Sequence, residues 1–115
     1  MNSHFIYRDK EGKPLTVQEW SELFEDYKYR IVKQEHYGDN FISTMWIGIP
    51  SLIYTEKGLK FSGYFETAVI AKDLLELEVM RYETLEEAKL GHESMIHSLK
   101  STNACQEDLG RISEE

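Results

Sequence analysis

A chain of 115 residues with 41% hydrophobic and 30% charged positions holds one domain, with enough apolar surface to bury a core. Its formal net charge of −8 repels phosphate backbones and anionic lipid, so no direct nucleic-acid binding is expected, and no apolar run approaches the roughly 20 residues of a membrane span. The single Cys105 excludes an internal disulfide, and residues 1–10 lack a basic stretch followed by an apolar one, so a cytoplasmic protein without a secretion signal or membrane contact is the expectation.

Phe5 to Tyr7 alternate as a short strand, and Asp9 to Gly12 carry the chemistry of a type I turn. Thr16 and Glu19 form a capping box that opens a helix, and Leu15 and Trp20 flank it as a hydrophobic staple. Trp20, Leu23 and Phe24 give that helix its apolar stripe. Glu25 and Asp26 oppose its dipole and predict an early end.

Residues 29–36 and 41–49 read as two strands of a hairpin about the turn Tyr37-Gly-Asp-Asn40. Alternation puts Phe41, Met45 and Ile47 on one face and Ile42, Thr44 and Trp46 on the other. Both faces are partly apolar, so the second strand is either covered twice or meets another subunit. Residues 50–63 predict a long connection with a short ribbon near Leu52 to Tyr54. A second hairpin follows, 64–71 and 75–82, turning near Lys72-Asp73, with Leu75, Leu77 and Val79 expected inward and Glu76 and Glu78 outward.

Thr84 and Glu87 predict a second capping box and a helix to about Lys100, followed by a flexible acidic tail over 101–115. Residues 1–100 then form one α+β domain of two layers. Its sheet is four- to five-stranded and mainly antiparallel, with two helices on one face, in the order β-α-β-β-β-β-α.

Candidates for chemistry are few. Leu85, Ala88, His92, Met95 and Leu99 share one helical face, so His92 is read first as a core histidine bonded to the sheet, with Gly91 allowing close approach. His97 lies about 140° from His92 around the helix and cannot chelate one ion with it, and Glu93 with His97 supplies too few ligands, so no metal site and no cofactor are expected. His4 and His36 read as solvated.

Thr44 and Trp46, with Thr67 and Tyr82, are candidate binding residues: an indole beside a hydroxyl can stack a planar group and bond its edge. Glu66 is expected to pair with Arg81 across the second hairpin. Were both to converge on His92, they would form an acid/base cluster of base, orienter and anion clamp. No phosphate loop, nucleophile elbow or metalloprotease helix occurs.

Tyr7-x-Asp9, Gly12, Pro14, Trp20 with Leu23-Phe24-Glu25-Asp26, Ser43-Thr44-x-Trp46-x-Gly48, Phe65-Glu66-Thr67-x-Val69 and Arg81-Tyr82-x-Thr84-x-Glu86-Glu87-Ala88-x-x-Gly91-His92 resemble a family of small uncharacterised proteins of bacteriophage, prophage and bacterial genomes. The resemblance spans roughly residues 5–100 and implies no established activity. Its context implies binding to a host protein or a small molecule; the connection over 50–63 departs from the Gly/Pro-rich form associated with such proteins. The expectation is a non-enzymatic accessory protein that forms a homodimer through one sheet face and binds a host protein or small ligand. A small enzyme using His92, Glu66 and Arg81 is the alternative, and nucleic-acid mimicry by the dispersed carboxylates is a third.

Overall fold

The computed structural model describes the backbone of residues 6–114, with side chains throughout except at 51–54, 60–62 and 102–114. Two short strands, β1 (Tyr7–Arg8) and β2 (Pro14–Leu15), pair across the Asp9–Gly12 turn and precede helices α1 (Val17–Glu25) and α2 (Tyr27–Arg30). Thr16 caps α1 as its sequence requires: the hydroxyl accepts from Glu19 N–H and the Glu19 carboxylate accepts from Thr16 N–H. Asp26 ends α1 and caps α2.

Four strands build the main sheet: β3 (Ile31–Tyr37), β4 (Asn40–Trp46), β7 (Phe65–Ile70) and β8 (Glu76–Tyr82), all antiparallel neighbours in that order. Between β4 and β7 the chain leaves the sheet as a separate ribbon, β5 (Ser51–Thr55) with β6 (Gly58–Ser62). The expected ribbon in the long connection is therefore a full hairpin. Nor does the first short strand enter the main sheet. A final helix, α3 (Leu85–Glu114), crosses one face of the sheet. The fold is α+β with antiparallel pairing and helix packed on sheet. The helix end expected near residue 100 is not one, because α3 continues through the polar sequence to Glu114.

Pairing fixes which residues face α3. Ile42, Thr44 and Trp46 of β4 stand opposite Val69, Thr67 and Phe65 of β7, and all six are buried beneath the helix. The core divides into three levels along the strands. At one end Ile42 and Val69 pack with Met95 and Ile96 of α3; at the other Trp46 and Phe65 pack with Ala88, and Trp20, Phe24 and Tyr29 gather round them. Thr44, Thr67 and His92 lie between, a polar level inside an apolar core.

Both indole N–H groups donate inward, Trp46 Nε1 to Arg8 O at 2.8 Å and Trp20 Nε1 to Ile47 O at 2.9 Å. Gly48, at φ +77°, sits where a Cβ would collide with both indoles. Gly91 admits the ring of Tyr82, not the sheet backbone: a Cβ there would lie 2.1 Å from the Tyr82 ring. Close approach at Gly91 was the expectation; its object is an aromatic plate at the sheet edge.

The second hairpin reverses its expected faces. Glu78, Met80 and Tyr82 stand opposite Val69, Thr67 and Phe65, on the helix side, whereas Val79 and Arg81 stand opposite Ala68 and Glu66 on the other. A register irregularity at Leu77 separates Ile70↔Glu76 from Val69↔Glu78. Leu77 and Val79 are consequently exposed, not core, and Leu75, at the hairpin end, is exposed as well. A one-residue irregularity exchanges the faces of a strand, which alternation alone cannot reveal.

Candidate functional site

Pairing across β7 and β8 brings Glu66 opposite Arg81, and Arg81 Nε lies 3.2 Å from the Glu66 carboxylate. The same guanidinium donates through NH1 to Gly63 O at 2.7 Å and Ile49 O at 3.3 Å. Arg81 thus ties the root of the β5–β6 ribbon to the main sheet. Its planar fork is committed to structural acceptors.

His92 is on the opposite side of the sheet. The cluster of His92, Glu66 and Arg81 expected for an acid/base site does not assemble, because successive residues of a strand point to opposite faces: Thr67 faces His92, and its neighbour Glu66 cannot. The imidazole is 0% exposed.

The binding residues expected at Thr44, Trp46 and Thr67 do share a face, but it is the buried one, and each is 0% exposed. They hold the core together and present no plate to solvent. Tyr82 is half-buried against Gly91. His36 is exposed and packs on Phe41, His97 is exposed on α3, and His4 lies outside the described residues.

What His92 meets instead is a line of polar groups running from the core to the surface. Thr67 Oγ1 bonds Thr44 Oγ1, which bonds His92 Nδ1 at 2.6 Å; on the other edge of the ring, Nε2 faces Glu35 Oε1 at 3.4 Å. Lys33 then bridges two carboxylates, Glu93 at 2.6 Å and Glu35 at 3.6 Å. The hydrogen bond between them holds the Glu93 carboxyl below its ordinary pKa and the Lys33 ammonium above its own. Sequence reasoning missed Glu35 and Lys33. The register of β3 on β4, Glu35↔Ile42 and Lys33↔Thr44, turns these charged residues toward the helix, beyond an irregularity between Ile31 and Lys33.

The face of the sheet away from α3 carries Ile31, Phe41, Met45, Ala68, Ile70 and Val79 by pairing, all at least partly exposed. Among the described residues no helix crosses it. At its corner His36, Phe41, Ile70 and Leu74 border a groove of about 560 Å³. Leu74 is 84% exposed and held at φ +69°, a conformation costly for a residue with a Cβ. A second cavity, of about 280 Å³, lies where the β1–β2 turn meets the start of α3, bordered by Arg8, Lys10, Tyr64 and Glu86.

Among the described residues no helix is long and apolar enough to cross a membrane. Comparison with protein-family models, curated proteins and solved structures finds no match to this chain. Function is therefore argued from its own residues.

Proposed function

We propose that the protein is a non-enzymatic cytoplasmic accessory protein, of the phage or prophage kind its motifs resemble, that docks partners through the uncovered sheet face and pairs with a second copy of itself there. The observation that carries this reading is the group of apolar side chains that this face turns to water. Ile31, Phe41, Met45, Ala68, Ile70 and Val79 lie on the side of the four-stranded sheet away from the core, interspersed with Gln34, His36, Ser43 and the Glu66–Arg81 pair. Apolar side chains grouped on a sheet side turned to water, rimmed by polar ones, mark an interaction surface.

Leu74 adds to the argument. Its left-handed conformation closes the second hairpin, with its N–H donating to Ala71 O at 2.8 Å, and it holds the exposed side chain beside the groove. The groove beside Phe41 and Leu74 falls within the size range of ligand and anchor pockets, about 300–1,000 Å³. It is where a host-protein side chain or a small ligand would seat.

The test is oligomeric state. Light scattering behind size-exclusion chromatography at low micromolar concentration should give a dimer, and Val79→Lys should convert it to a monomer with unchanged thermal stability. A wild-type monomer under these conditions would overturn the self-association.

A further inference from the structure

We propose that Glu35, His92 and Glu93 form a binding site for a divalent transition-metal ion of the zinc class, with the Lys33 ammonium occupying the ion's place when no metal is bound. The ligating atoms of the three side chains lie within 4.8 Å of one another. They come from two elements, β3 and α3, whose packing is fixed by the core beneath them.

The distance between His92 Nε2 and Glu35 Oε1 is informative. At 3.4 Å it exceeds the about 2.7–3.2 Å of a good N–H···O bond, although the imidazole is fully buried and the contact has every opportunity to tighten. Two ligands at about 2.1 Å from one tetrahedral ion stand about 3.4 Å apart. The pair is spaced as co-ligands are. Glu93, its side chain 59% exposed and paired with Lys33, closes the set when the ion replaces that ammonium.

Charge points the same way. Two carboxylates and one ammonium leave the cluster with one net negative charge, whereas a dication in place of the ammonium leaves it neutral. Lys33 is half exposed and can withdraw to solvent without burying its charge. A metal at Nε2 places the remaining imidazole proton on Nδ1, where it donates to Thr44 Oγ1, 2.6 Å away. That is the outer-shell bond by which metal-binding histidines are ordinarily oriented. Three protein ligands leave a fourth position open to water or to a ligand atom.

The ion is probed directly with Co²⁺ on the full chain after chelator treatment. A four-coordinate visible absorption band should develop, Zn²⁺ should bleach it, and the ¹⁵N resonance of His92 Nε2 should shift on Zn²⁺ addition. Glu35→Gln and Glu93→Gln should each weaken binding at least about tenfold, the floor set by loss of even an outer-shell partner. Lys33→Met, which removes the competing cation, should tighten it. Absence of the band in both wild type and Lys33→Met would overturn the proposal. So would binding that survives both glutamine variants and is lost in His36→Ala or His97→Ala, since the ion would then sit on a surface histidine.

Discussion

His92 shows how one side chain can be legible in identity and hidden in partnership. Its place on the core stripe of α3 follows from helical spacing with Ala88 and Met95, and its burial follows from that stripe. Its partners do not follow, because Thr44 and Glu35 sit 48 and 57 residues away and meet it through sheet register. Replacing the ring by Ala would leave the Thr44 hydroxyl without its buried partner and open a void beside it. His92→Ala should therefore lower unfolding free energy by about 3 kcal/mol in urea titration. At the surface end of the same line, the Lys33 hydrogen bond lowers the Glu93 pKa, so this pair stabilises the fold above the ordinary carboxylate range and loses that contribution as pH falls through the lowered value. On the alkaline side the raised Lys33 pKa keeps the contribution until pH climbs through it. Carboxylate NMR titration should show the Glu93 midpoint moving up toward normal in Lys33→Met.

Elements were legible where a local signal ends them and obscure where tertiary pairing does. The α1 capping box is present atom for atom, because both of its bonds span only three residues. The box at the start of α3 is altered: Thr84 Oγ1 accepts from Glu87 N–H as expected, but the Glu87 carboxylate accepts from Glu83 N–H, one residue earlier. The second hairpin turns where Lys72 and Asp73 indicated, with Asp73 accepting from Leu75 N–H, yet its return strand shows the opposite face from the one alternation suggested. Leu74 belongs to this turn, and glycine adopts its φ of +69° without steric cost. Leu74→Gly should raise the melting temperature, by the equivalent of about 1 kcal/mol, while weakening any association through the face that Leu74 borders. Thermal unfolding and light scattering on the same sample read the two effects.

For the whole molecule, the fold class could be read from periodicity, and β4 lies inside the four-stranded sheet, but α3 covers only one of its two partly apolar faces. The sequence could not say which of its faces lay under the helix, since Phe41 and Met45 are as apolar as Ile42 and Trp46. Trp46 and Thr44, first read as binding residues, are buried under α3, and Phe41 and Met45 face away from it. The Val79→Lys monomer expected above is a statement about this scale, since Val79 touches the core of no single chain.

The polar level between the two apolar ends of the core has one more consequence. Greasy side chains are interchangeable neighbours, so a helix lying on them could slide by a turn at little loss; an imidazole with a hydroxyl at one edge and a carboxylate at the other has only one berth. Shifting α3 along the strands would drive that ring among Ile42 and Val69, or among Trp46 and Phe65, and strand both threonines. His92 acts as a dowel, trading some adhesion for a single alignment of the two layers.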